Sequence, residues 1–446
     1  MENQVPNFEQ VPQAVPVKRP SHPAKNVVLI ITVLLFVSML LVIFATQILS
    51  FVAKDIGPID DADLRLEKVV LTDADNGYFD LEKIDKVIYF PKDKTQLISE
   101  ISDGKVWDEA FVAELLSKNE ESLSLFATAA SKLNIQYPAS ADPANLRPDM
   151  LLPSLSNWRS MTRVSSIKSL HLLRKGKNIE AMDESLNSVK IGQKIQDPIS
   201  SPIEYLVGIG MKNVALKTAH QIITSSSFSL PETRKYIEEL EPYIKNETGL
   251  AAAFKAEYAT HIFMLDNPKI MFFDPDEDFK MPREEIGGFS LEKFNNLIEN
   301  DFYFQINKTK KLTADLARIW VKRAHESCGI PKFEPERIFS KKGTIKTFFD
   351  ENIVGEIVHD LMAVSLDTMN IKKCEDQALV AATQVLLALK SYKDATKKLP
   401  MTLQELVPTY ISSIPIDPFD KKPLKYSLSD KKIYSIHASS TFPIGF

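Results

Sequence analysis

The side chains able to do chemistry are scattered, and no group of them completes a catalytic pattern. Ser165-Ser166-Ile167-Lys168 reads S-x-x-K, in which a lysine one helical turn from a serine could take its hydroxyl proton. Ser185-Leu186-Asn187 would supply the S-x-N that accompanies it in penicillin-binding enzymes, but no Lys-Thr-Gly occurs anywhere in the chain. Glu356-Ile357-Val358-His359 puts a carboxylate and an imidazole on one helix face. A di-iron bundle needs two such pairs and two further glutamates, and only one pair is present. His325-Glu326 lacks the second histidine of a zinc protease. Asp274, Asp276 and Asp278 alternate as calcium-loop ligands do. Pro275 intrudes there, and the glycine and terminal glutamate are missing from their required offsets, so a solvated acidic loop is the better reading. Gly208-Ile209-Gly210 lacks the third glycine of a dinucleotide fingerprint. Trp107, Trp158 and Trp320 read as core anchors. The sequence therefore assigns no catalytic, cofactor-binding or metal residue, and no cofactor. A hydrolase would need a dispersed set such as Ser165, His171 and Asp183, assembled by folding.

Composition narrows the classes. The chain has 446 residues, 44% hydrophobic and 25% charged, with a formal net charge of -5. That suits a chain with a buried core and gives no basic footprint for nucleic acid. Only 14 glycines occur, about half the roughly 7% of an average chain, so helices are favoured over hairpins and phosphate loops. The two cysteines, Cys328 and Cys374, are too few for a disulfide framework or a zinc ribbon. One bond between them fits an oxidising compartment, and two free thiols are the alternative.

The longest signal is Val27–Ala53, a run without a charge. A bilayer's apolar core needs about 20 such residues. The run exceeds the ~7–15 residues of a cleavable signal's apolar region, and no A-x-A-like site follows it. It predicts an uncleaved transmembrane anchor whose partner is the lipid bilayer. Lys18, Arg19 and Lys25 precede it in a short tail, which favours a cytoplasmic N-terminus and an extracytoplasmic C-terminal region. Residues 1–26 form a proline-rich tail with little to bury.

Beyond the anchor the expected class is mostly α. Residues 54–104 read as an acidic, flexible neck with extended pieces at Leu64–Leu71 and Lys86–Phe90. Residues 105–263 read as helical hairpins. Phe111, Leu115, Leu116, Leu123, Phe126 and Leu133 make a first stripe. Met161, Val164, Ile167, Leu170 and Leu173 make the clearest one. Lys175-Gly176-Lys177-Asn178 stops that helix, and Met182, Leu186 and Val189 open the next. Ile203, Val207, Met211 and Val214 follow, with Ala215, Ala219 and Ile222 beside them. Ser229 and Glu232 form a capping box before Ile237 and Leu240. One amphipathic hairpin cannot bury its own stripe, so neighbours must stack. The pattern is similar to tetratricopeptide-type hairpins, without a 34-residue signature. Residues 264–285 read as a loop and 286–375 as a helical segment.

Residues 376–446 carry a distinct order. A long helix lined by Ala378, Ala381, Val385, Leu386, Leu389 and Tyr392 leads into Leu399-Pro400. A short helix over Thr402–Val407 follows, then Ile416-Asp417-Pro418, then a β-hairpin of Leu424–Ser427 and Ile433–Ile436. This order resembles the C-terminal module of the type II secretion major pseudopilin, and similar tails end membrane-anchored bacterial proteins with helical bodies. The resemblance implies a local α+β fold and a place in the bacterial cell envelope. It does not imply filament assembly, because Lys25-Asn26 stands where a pilin has its cleavage glycine and the tail lies far from the anchor. A calcium loop is not carried over, since Ser439-Ser440-Thr441-Phe442 lacks the acids. Taken together, these features predict a single-pass, inner-membrane scaffold or interaction protein with an envelope partner and no catalysis. An envelope hydrolase and a secretion accessory component are the alternatives.

Overall fold

Helices dominate because apolar residues recur at three and four positions, and glycine rarely interrupts them. A computed structural model describes residues 30–40, 54–148, 150, 154–197, 199–244, 248–268, 285–286, 289–290, 302–326, 328, 333–335, 338, 351–363, 366–437 and 441–446. Its helices are α1 (Tyr78–Val87), α2 (Thr95–Ser102), α3 (Glu109–Lys118), α4 (Glu120–Ser131), α5 (Leu155–Arg174), α6 (Asn178–Gln196), α7 (Pro202–Ser225), α8 (Leu230–Ile244), α9 (Gly249–Asp266), α10 (Ile306–His325), α11 (Ile353–Met362) and α12 (Asp367–Thr396). Strands β1 (Glu285–Ile286) and β2 (Phe289–Ser290) pair with each other. Strands β3 (Lys425–Ser427), β4 (Lys432–Tyr434) and β5 (Thr441–Pro443) form an antiparallel sheet in that order. The mostly α expectation and the C-terminal hairpin hold. The third strand, β5, carried no sequence signal.

The hairpin reading is sound for α5 to α8. Met161, Val164, Ile167 and Leu170 are buried along α5, and Met182, Leu186 and Val189 along α6. Gly176 makes the turn between them at φ +75°, where a side chain would be strained. Ser229 and Glu232 exchange the two hydrogen bonds of a capping box at the start of α8.

Several expectations are corrected. Lys86 and Val87 end helix α1 and are not strand residues. Leu81 and Ile84 are fully buried three apart and pack on α4, so the 3.6-residue period wins over the local Val-Ile-Tyr-Phe run. The helix expected from Phe111 to Leu133 divides at Asn119, whose buried amide donates to the Leu115 and Tyr89 carbonyls and accepts from Tyr89 N–H. Leu133 lies past α4 and is exposed. On α7, Ile203 is also exposed, whereas Tyr205, Ile209, Leu216 and Ile223 are buried. α7 is flanked by α5, α6, α9 and α12, so it buries most of its circumference and no single stripe describes it. Met264, Leu265 and Asp266 belong to α9 rather than to a loop. The acidic stretch beyond, with Asp274, Asp276 and Asp278, lies outside the described residues.

α6 and α7 cross without side chains between them. A Cβ on Gly208 would lie 2.5 Å from the Gly192 carbonyl oxygen, and one on Gly192 would lie 2.6 Å from the Gly208 oxygen. Both obstacles are backbone, so the helices must separate to accept any side chain. Gly208→Ala is expected to cost about 1–3 kcal/mol as overpacking. Urea unfolding checks it, and an unchanged midpoint would contradict the close crossing.

The C-terminal elements do not stand apart. Residues of α12, the short turn Leu403–Leu406, and Leu424, Ile433 and Ile444 share one apolar core with α6, α7 and α8. Of the Val27–Ala53 run, residues 30–40 are helical, and the rest lies outside the described residues, as does the 1–26 tail. No helix among the described residues is long and apolar enough to cross a membrane.

Candidate functional site

The S-x-x-K reading meets an occupied hydroxyl. Ser165 on α5 is fully buried and donates to Glu184 Oε1 on α6 at 2.7 Å. The other oxygen of Glu184 lies 2.7 Å from Lys168 Nζ. The structure therefore brings Ser165 and Lys168 together, but around a carboxylate that pairs with the lysine and accepts the serine's hydrogen bond. Such a triplet ties α5 to α6. Ser185 Oγ donates to the Ala215 carbonyl and ties α6 to α7. The dispersed set is divided among other partners. His171 stacks on Trp107 with centroids 6.3 Å apart and sits 3.7 Å from Glu109. Asp183 pairs with Lys235 at 3.2 Å. Trp158 and Trp320 are core residues, as expected. Trp107 carries the Arg174 guanidinium on its face. His325 is exposed beyond any partner histidine, and Glu326 faces Lys322.

A small cavity of about 30 Å³ lies among α9, α10 and α11. It has room for roughly two waters at 10–15 Å³ each. Its polar wall is Glu257, Tyr258, His261, Thr313 and His359, and its apolar wall includes Phe254 and Trp320. His359 is 5% exposed, and its Nδ1 has no hydrogen-bond partner among the described residues. Burial holds its imidazole below the ordinary value, Asp360 opposes this, and His261 adds to it. His261 Nε2 lies 3.4 Å from Glu257. The cavity can hold water against a neutral imidazole. No trio of His, Cys, Asp or Glu among the described residues is arranged for a metal, so Glu356-x-x-His359 gains no second pair.

Two features escaped the sequence reading, the Lys212 and His220 contacts, while the disulfide is one of the two alternatives it left open. Lys212 of α7 and Asp376 of α12 form an ion pair at 2.5 Å, with side chains 1% and 4% exposed. Lys212 also donates to Gln193 Oε1 at 2.7 Å. The only sequence signal was a lysine inside an apolar stretch. Cys328 and Cys374 are joined by a disulfide with Cα atoms 6.3 Å apart, inside the usual range. His220 of α7 places Nε2 2.7 Å from Thr383 Oγ1 on α12. Thr383 itself donates to the Leu379 carbonyl, so His220 carries its proton on Nε2.

Burial pulls the His220 imidazole down to about 4 from an ordinary 6.5. Between those values the unfolded chain binds a proton that the folded one refuses, so stability falls as the pH drops through this window. The loss should total about 3 kcal/mol by pH 4, at about 1.36 kcal/mol per pH unit. His220→Gln should show a smaller loss between pH 7 and pH 4 in paired denaturant titrations. Parallel curves for the two proteins would refute the assignment.

No known family pattern, curated protein or solved structure matches the chain.

Proposed function

We propose that this chain is a membrane-tethered interaction protein of the bacterial cell envelope, with a cytoplasmic tail, one anchor helix over Val27–Ala53 and an extracytoplasmic helical body. The observation that carries the proposal is the described part of the anchor. Ile30, Ile31, Leu34, Leu35, Phe36 and Met39 are each 51–64% exposed on helical residues 30–40. Successive positions cover every side of that helix, so no single protein face could bury it. Apolar surface disfavours water by about 25 cal/mol per Å², and a lipid phase removes that cost all round. The Cys328–Cys374 bond supports an oxidising location for the body. The interaction role rests on the stacked hairpins and on the pseudopilin-like order of the C-terminal module, whose relatives by resemblance work in the envelope.

The test uses the full chain, because truncation before Glu375 would remove Asp376 and most of α12 from the shared core. The protein should stay with membranes through alkaline carbonate. Its body should be cut by protease added outside spheroplasts, and in-cell cross-linking should capture a defined envelope protein. Release by carbonate would sink the anchor. Protection of the body from external protease would invert the topology.

A further inference from the structure

The neck is a strap bound along α10 rather than a free linker. Asp55 accepts the backbone N–H groups of Asn307 and Lys308 at 2.7 and 3.1 Å, and Asn307 Nδ2 donates to the Ile56 carbonyl at 2.9 Å. Further along, Arg318 donates to both oxygens of Asp63, at 2.9 and 2.8 Å, and to the Asp60 carbonyl at 2.7 Å. Tyr258 of α9 donates to Asp61 at 3.0 Å. Leu64 is 2% exposed and packs with Tyr258, Ala314 and Ala317. The expected flexible neck is therefore corrected for residues 55–64, where Asp55, Asp61 and Asp63 have fixed donors on α9 and α10.

This strap starts only two residues after the apolar run ends at Ala53. A chain spans at most about 3.3–3.6 Å per residue, so two residues of chain reach at most about 7 Å. Asp55 is held at the N-terminal end of α10. The same end carries the C-terminus of α9, through Lys310–Asp266 at 2.5 Å. It also carries the N-terminus of α11, through Asn352 Oδ1 accepting from Gln305 N at 2.8 Å and through Lys308–Glu351 at 2.8 Å.

We infer that the end of the body formed by the start of α10, the close of α9 and the start of α11 is held against the phospholipid headgroup layer by the 55–64 strap. The inference rests on the anchor proposed above. The occupant of this surface is the headgroup layer itself, because only Lys54 separates the apolar run from the strap. Charge does not provide the attraction. Among the described residues Lys308, Lys310 and Lys311 are paired with Glu351, Asp266 and Asp315, so these cations are locally compensated. Apposition should then be indifferent to anionic lipid.

The experiment places nitroxides at Lys311→Cys or Lys398→Cys in the full-length protein, reconstituted in phosphatidylcholine vesicles bearing a nickel-chelating headgroup. Relaxation by nickel should be several-fold greater at 311 than at 398, with or without added anionic lipid. The pair Asp55→Ala and Asp63→Ala should shrink that difference while the protein stays carbonate-resistant. Equal relaxation at both sites in an integrated protein would overturn the orientation and leave the anchor intact. A contrast that vanished without anionic lipid would overturn the strap as its cause. Failure to integrate would overturn the anchor and this inference together.

Discussion

Asp376→Leu should destabilise the protein by about 3–5 kcal/mol, because it strands Lys212 in the interior. Lys212 is 1% exposed, and among the described residues its ammonium pairs with Asp376 and Gln193. Lys212→Met should cost a similar amount for the mirror reason. Burial already pushes the Asp376 carboxyl up and Lys212 opposes that push, and the second carboxylate oxygen has no hydrogen-bond partner. The informative variant removes both charges. Lys212→Met with Asp376→Leu should recover most of either single loss, since neither charge is left uncompensated. A residual cost of about 1–3 kcal/mol is expected from Gln193 Oε1, which loses its donor. Denaturant unfolding of the four proteins forms a double-mutant cycle. Additive losses would mean that the pair is not coupled as its geometry implies.

That pair also marks where sequence reading stops. Periodicity made α5, α6 and α8 legible because each carries apolar residues at helical spacing that the structure buries. It failed for α7, which is covered on several sides, so Ile203 was placed inward while Lys212, buried, was passed over. Propensity misled at Lys86 and Val87, where tertiary packing of Leu81 and Ile84 on α4 decided the helix. The neck reads as a flexible acidic linker because the cations near it in sequence, Lys54, Arg65 and Lys68, do not betray the distant groups that hold Asp55, Asp61 and Asp63. Their partners, Arg318, Tyr258 and the first amides of α10, come from some 200 or more residues away. The S-x-x-K spacing is legible in the sequence, but Glu184, the group that occupies Ser165, is not. Long-range pairings of single polar residues leave no periodic trace.

The Cys328–Cys374 bond should carry the second large effect. It closes 46 residues of sequence separation, and the chain-entropy model gives about 4 kcal/mol for a loop of that size. Cys328 follows the end of α10, whereas Cys374 lies in the early part of α12 beside Ala378 and Phe419. The bond thus staples the strap-bearing helices to the main core. Cys328→Ser with Cys374→Ser should lower stability by up to that amount, and a reductant should lower the wild type to the same level while leaving the double variant unchanged. The same bond reports on location. A body outside the cytoplasm should be isolated oxidised, with no gel shift by a thiol-reactive polymer until reduction. A body facing the cytoplasm would expose two thiols at once. Should the purified protein prove both reduced and insensitive to reductant in unfolding, the staple and the extracytoplasmic placement it supports would fail together. Carbonate resistance would then have to stand alone as the argument for the anchor.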